Sequence, residues 1–299
     1  MTFSSSKYKS IIIYSFIYSL FLALVIALLL TALLYYTEKL STMGTVIIIV
    51  ISMITFCYSH TLLAKKYIIR RHILSKEFPK KWESILESNV KYYQYLSDDE
   101  KIRFKQEILI FMGEKKITGI ETDIDDKCKI LVASSAIIPV FNYPEWEYND
   151  LSEILIYPGN FDENYNFMSK NSHYLGLVTR KGSNMILSKD ALYIAFEDEE
   201  NSSHVGIHEF IHKIDGKDGF IDGIPFFMLN KNNRDKWLKI SQLEIDRIRA
   251  GQSDINPYAL TNKAEFFAVV SEYFFKQPSL MENQHPDLYG ILKEIFERK

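Results

Sequence analysis

Two long runs without a formal charge dominate the start of this chain and restrict it before any other feature is considered. Ile11 to Tyr36 reads IIIYSFIYSLFLALVIALLLTALLYY, and Thr45 to Ala64 reads TVIIIVISMITFCYSHTLLA, with His60 near its end. A helix needs roughly 20 apolar residues to cross a ~30 Å hydrocarbon core, and both runs meet that length. They predict a helical hairpin spanning a membrane. A cleavable signal peptide has a shorter apolar region with small residues at its cut site, and no second span follows it at once. Lys7 and Lys9 precede the first run, and Lys65, Lys66, Arg70 and Arg71 follow the second, whereas the connection 37–44 carries only Lys39 beside Glu38. Cations near span ends stay on the cytoplasmic side. Both termini are therefore expected inside. This reading makes residues 1–72 a multi-pass anchor in the cell (inner) membrane and residues 73–299 a domain facing the cytoplasm.

The polar remainder has the marks of one α+β domain. Ser97-Asp98-Asp99-Glu100 has the Ser-x-x-Glu form of a capping box, so a helix is expected from there. Trp82, Ile85, Leu86 and Val90 among Lys and Glu predict an amphipathic helix before it, with Pro79 in its first turn. Glu153 to Tyr157, ahead of Pro158-Gly159, reads as a short strand. Tyr174 to Val178 and Asn184 to Leu187 flank Arg180-Lys181-Gly182-Ser183 as a candidate hairpin, whose edge would let an extended peptide add a strand. With a net charge of −3, the chain lacks the basic footprint of a protein that neutralises many phosphates, and no nucleic-acid partner is expected. Its two cysteines, Cys57 and Cys128, form no CxxC pair and offer neither a disulfide framework nor a thiolate metal site.

The chemistry gathers in the C-terminal half. His204-Val205-Gly206-Ile207-His208-Glu209-Phe210-Ile211-His212 contains HExxH at His208 to His212, after Asn201, Ser202 and Ser203 as candidate helix caps. Residues i and i+4 of a helix share a face, so both imidazoles can converge on one Zn²⁺ while Glu209 lies beside a water at the metal. Zinc lowers the pKa of such a water toward ~7, and a carboxylate in the position of Glu209 takes its proton as it attacks a carbonyl. Val205, Ile207, Phe210, Ile211 and Ile214 surround the pair as expected for a buried helix, and Gly216 offers a stop. His204 also stands four residues before His208, but that pairing puts no Glu in the base position, and His204 reads as a residue of the helix entry. Asp215, one turn beyond His212, is placed to orient a ligand imidazole or to serve as a residue of the helix-end turn.

A catalytic zinc site takes a third protein ligand and keeps one position open. Thr261-Asn262-Lys263-Ala264-Glu265-Phe266-Phe267-Ala268-Val269-Val270-Ser271-Glu272 predicts a strongly apolar helix with Thr261 as N-cap. Glu265 and Glu272 fall two turns apart on one face. A carboxylate in such a stretch needs a cation or a set of donors, so either is a candidate ligand and the other is left to orient a ligand or face solvent.

The blocks HEFIHKID, Asp218-Gly219, Asp222-Gly223-Ile224-Pro225 and NPYALTNKAEFFAVVSEYFF together resemble the Mlc titration factor A family of zinc peptidases, from about Ser97 to Pro278. That family is similar in its catalytic core to anthrax lethal factor. The resemblance implies a zincin of gluzincin type, with one zinc ion per chain held by His208, His212 and Glu265, and with Glu209 as general base. It also implies a catalytic tyrosine upstream of the third ligand, where Tyr258 stands as a donor to the developing oxyanion. Activity in the family looks aminopeptidase-like on small substrates. The N-terminal hairpin departs from its familiar soluble members, so their binding to a sugar-responsive repressor does not carry over and no protein partner is assigned.

Two functions therefore follow from the sequence. The first is a membrane-anchored zinc metallopeptidase acting on a peptide or protein substrate. The second is a membrane-tethered zinc-binding sensor or regulatory protein without peptidase activity. An intramembrane protease is excluded by position, because HEFIH lies far beyond the second span and is followed by KIDGKDG, too charged for a bilayer.

Overall fold

The computed structural model describes residues 3–39, 41–160, 176–178, 183–198 and 200–297. The chain divides into two compact units, Met1–Glu77 and Phe78–Lys299. The first consists of α1 (Phe3–Tyr36) and α2 (Thr42–Leu74). Both are long and apolar enough to cross a membrane. The second helix continues past the apolar run through Lys65, Lys66, Arg70 and Arg71. Ser41 caps it, its hydroxyl accepting the N–H of Gly44 at 3.2 Å.

The two helices pack along a stripe of small residues. Ser15, Ser19 and Ala23 recur every fourth position on α1 and are buried, which lets the backbones approach closely. Ser15 Oγ lies 3.2 Å from Nδ1 of His60 on α2, and Phe16 meets Phe56 edge to face at 5.3 Å. The outward faces remain apolar, with Leu28, Leu29 and Ile54 all exposed.

The second unit is mostly helical with one small sheet. Its elements follow in the order α3 (Lys80–Asn89), α4 (Lys91–Gln94), α5 (Asp98–Glu114), β1 (Lys116–Gly119), α6 (Asp126–Ile137), β2 (Glu153–Tyr157), β3 (Gly176–Val178), β4 (Asn184–Ser188), α7 (Lys189–Glu197), α8 (Val205–Asp215), α9 (Lys231–Arg249), α10 (Lys263–Lys276), α11 (Pro278–Gln284) and α12 (Pro286–Phe296). The expected capping box starts α5, with Glu100 Oε2 accepting the backbone N–H of Ser97 at 2.9 Å. Pro79 takes the N-cap of α3.

The sheet runs β1-β2-β4-β3, with β1, β2 and β4 parallel and β3 antiparallel at the edge. A parallel pair needs a crossover, which α6 supplies between β1 and β2. Ile154 and Ile156 of β2 and Met185 and Leu187 of β4 face the core in register. Strands β3 and β4 are the arms expected of the hairpin. Its turn 180–182, and Tyr174 and Leu175, lie outside the described residues.

Two expected caps fall on other residues. Helix α8 is capped by His204, whose Nδ1 accepts the N–H of Ile207 at 3.2 Å, while Asn201 is spent on the N–H of Ser203. Helix α10 is capped by Asn262, whose Oδ1 accepts the N–H of Glu265 at 2.9 Å. Thr261 closes the preceding 3-10 turn Pro257–Leu260, its own N–H bonded to Tyr258 O, and so cannot take the extended backbone that a cap requires.

Candidate metal centre

Every residue of helix α8 but His208 is buried, which fixes its rotation in the core. Phe210 packs against Phe111 and Tyr148 at ring distances of 5.9 and 5.1 Å. Helix α10 lies alongside it, locked by Phe266 and Phe267 against Trp237. This packing turns the second face of α10, which carries Glu265 and Glu272, toward the two imidazoles of α8.

Three donor atoms meet there. His208 Nε2 lies 2.9 Å from Glu265 Oε2, His212 Nε2 lies 3.4 Å from the same oxygen, and the two Nε2 atoms are 3.1 Å apart. Among the described residues, His208, His212 and Glu265 are the one group with the spacing to hold a metal ion. Ligand atoms at ~2.0–2.1 Å from a tetrahedral Zn²⁺ sit roughly 3.3 Å from one another, so these three distances suit such an ion. Two nitrogens and a carboxylate oxygen are also the donor chemistry zinc accepts.

The remaining polar atoms are arranged around this cluster. Glu272 Oε1 lies 2.6 Å from His208 Nδ1, and its Oε2 accepts the backbone N–H of His204. That contact fixes the ring so that Nε2 faces Glu265. Burial alone would lower the pKa of His208, but Glu272 and Glu265 raise it well above the ordinary value. For Glu265, burial acts upward, and the hydrogen bonds of His208 and His212 override it and hold the carboxyl well below its usual range. Glu265 is thus anionic, as a ligand carboxylate must be.

Glu209 is 5 % exposed and makes no contact with the three donors by hydrogen bond. Its pKa is raised, first by burial and also by the Glu265 and Glu272 charges, against the lowering pull of the two histidines. A carboxylate of raised pKa is a stronger proton acceptor. Its position depends on a residue the sequence reading missed. Gly176 of β3 passes so close that a Cβ there would lie 2.4 Å from Glu209 Oε1 and 2.5 Å from its Cγ. Only the packing of β3 against α8 reveals this, because nothing in the local sequence marks that glycine.

Tyr258 lies in the Pro257–Leu260 turn, 52 % exposed, with its ring 6.1 Å from that of His208. Asn256 fixes the turn by accepting the N–H of Tyr258 at 2.9 Å. Asp215 stands in the helix-end turn, the second of its two expected places. Its Oδ2 accepts the N–H of Gly223 at 2.8 Å, and no hydrogen bond joins it to His212. Burial first, and then the nearby Asp222, push its pKa up to about 6. Gly223 needs its positive φ of 78°, and a Cβ there would meet Lys263 O at 2.2 Å. Asp215 therefore ties the end of α8 to the start of the helix that bears Glu265.

The glucose-regulated metallo-peptidase M90 family matches residues 64–297. Similar curated proteins include the uncharacterized protein slr2042 of Synechocystis, 24 % identical over 76 % of this chain and 86 % of its own length. Mlc titration factor A of Pectobacterium atrosepticum is 26 % identical, covering 68 % of this chain and 81 % of that protein. The same-named protein of an Enterobacter species is 28 % identical over the same shares. The match takes in both helices of the metal centre, and the chain belongs to the glucose-regulated metallo-peptidase M90 family, alongside the Mlc titration factor A proteins.

Proposed function

We propose that this protein is a zinc peptidase anchored in a membrane by its N-terminal hairpin, with its catalytic domain on the cytoplasmic side. The observation that carries the reading is the convergence of His208 Nε2, His212 Nε2 and Glu265 Oε2 beside the buried carboxylate of Glu209. His208 and His212 from one helix and Glu265 from a second are the ligand pattern of a gluzincin, and a lethal-factor-like core is the fold we infer. One zinc ion per chain would supply Lewis acidity, acidifying an adjacent water and polarising a peptide carbonyl.

The residues of the chain supply the rest. Glu209 accepts the proton of the attacking water and returns it to the leaving amine. Tyr258 donates its phenolic hydrogen to the oxygen on which negative charge develops. Glu272 keeps His208 in the tautomer that presents a lone pair at Nε2. Strand β3, at the sheet edge and against Glu209, offers backbone groups along which an extended peptide would align. Lys7 and Lys9 in the first turns of α1 and Lys65, Lys66, Arg70 and Arg71 in the last turns of α2 set the orientation of the anchor.

A second reading is a membrane-tethered metal-binding regulator without hydrolysis, which the name titration factor of the curated relatives favours. Glu209→Gln separates the two. Under the peptidase reading the purified variant keeps its zinc and loses about 10²–10⁴-fold in peptide turnover. Equal turnover in the variant, or no turnover by the zinc-loaded wild type across a broad peptide library, overturns it.

A further inference from the structure

A cavity of about 610 Å³ opens beside the start of α8, away from the metal centre. None of His208, Glu209, His212, Glu265 or Tyr258 lines it. Its apolar walls come from Ile138, Phe196, Ile207 and Phe275, and its polar groups include the two cations Lys91 and Lys276. No acidic side chain lines it among the described residues.

His204 is also among the residues lining this cavity, and its imidazole is 2 % exposed, with Nε2 closed off from solvent. Because its Nδ1 accepts the N–H of Ile207, the ring proton sits on Nε2. That Nε2 has no hydrogen-bond partner among the described residues. The ring stands edge-on to Phe196 at 4.5 Å, a contact that offers only a weak π acceptor. Burial, and then the Lys276 charge, hold the His204 pKa at about 3, so the ring is a neutral N–H donor at ordinary pH. A buried donor left unmatched is costly, and native structures match such groups with a partner, a water or a ligand. Lys276 is itself held in place, its ammonium donating to the carbonyls of Ala195 and Asp198 at 2.5 Å each.

We propose that this cavity binds a small organic carboxylate, its anionic end received by the field of Lys276 and, as the buried His204 ring tips toward it, by Nε2–H, its apolar body by Phe196, Phe275 and Ile207. Occupancy is relayed to the metal centre. The backbone N–H of His204 holds Glu272, and the other oxygen of Glu272 holds His208 Nδ1. A ligand that fixes the His204 ring fixes this chain of contacts and pre-organises His208. The relay rests on the metal reading above; the binding site does not.

The test uses the full chain in detergent, with phenylacetate as probe. Isothermal titration should show saturable binding. His204→Ser keeps a good N-cap acceptor for Ile207 but is too short to present a donor where the imidazole does, and should weaken phenylacetate about tenfold or more. Ser279→Trp, at the exposed rim of the cavity, should block it without touching the core. Chelator competition should show tighter zinc binding by wild type when phenylacetate is present, and no such gain in Ser279→Trp. No saturable binding by the wild type, or equal binding by both variants, overturns the site. Saturable binding with unchanged zinc affinity overturns the relay alone. Neither readout requires peptide hydrolysis, so an inactive protein would refute the peptidase reading and leave this one standing.

Discussion

Glu272 holds His208 at the nitrogen that faces away from Glu265, with Oε1 at 2.6 Å from Nδ1, and uses its second oxygen on the start of the same helix. One carboxylate thereby sets both the tautomer of a candidate ligand and the seat of the helix that carries it. Partners of this kind usually contribute 10–100-fold to metal affinity. Glu272→Gln is expected to weaken zinc by about that factor while the helices stay packed, since the amide is of the same size. Chelator competition measures it, and wild-type affinity in the variant would show that the carboxylate does nothing for the metal.

Tyr258 is exposed and stands over the same imidazole. If it stabilises developing charge, Tyr258→Phe should lower kcat by roughly 10²–10³-fold and leave KM and zinc content nearly unchanged. A drop confined to KM would make it a substrate-contact residue instead.

Much of this site was legible because helical spacing is rigid. The i and i+4 interval of His208 and His212 predicts a shared face without any tertiary knowledge, and the two-turn spacing of Glu265 and Glu272 does the same for α10. What spacing left open was which glutamate meets the imidazoles, because that depends on how α10 docks on α8, and Phe266, Phe267 and Trp237 decide it. Spacing likewise left open whether Asp215 orients an imidazole or closes the helix end. The left-handed backbone at Gly223 presents an N–H to its carboxylate, a closer partner than His212. Gly176 was illegible because its neighbour Glu209 comes from another element, and the cap at Asn262 because a 3-10 turn had already claimed Thr261.

His285 offers a test of stability independent of the metal. It is 2 % exposed, with Nδ1 at 3.0 Å from Glu244 of α9 and Nε2 at 2.6 Å from Asp254. Tyr273 of α10 donates to Asp254, Ser253 to Glu244, and Arg247 pairs with Glu244 at 2.9 Å. Burial would lower the His285 pKa, but the two carboxylates raise it above 6.5. The stability it contributes is therefore complete below pH 6.5 and fades as pH rises through the folded-state value. The two carboxylates, depressed from 4.5 and 3.8, contribute above those values and lose their part as pH falls. The cluster is strongest in the window between. His285→Ala leaves Glu244 buried beside a void and should cost on the order of 3 kcal/mol near pH 6, with the deficit shrinking in alkali. Thermal unfolding across pH checks this, and a deficit that does not vary with pH would mean that packing, not charge, is what His285 supplies.

The contact between Gly176 and Glu209 makes the sharpest demand on one position. A methyl group at residue 176 has nowhere to go, because the carboxylate and Cγ of Glu209 fill its place at 2.4 and 2.5 Å. Either Glu209 swings aside, which shifts the proposed proton acceptor relative to the candidate metal site, or β3 retreats from the sheet edge and removes the wall that holds it. The candidate ligands are untouched by this, since Glu209 shares no hydrogen bond with His208, His212 or Glu265. Gly176→Ala should therefore keep full zinc content and lose about 100-fold in kcat, the loss that a misplacement near 1 Å brings. Adding the substitution to Glu209→Gln should cost little more, because both act through one carboxylate. Losses that multiply instead would show that β3 acts on the substrate and not on Glu209.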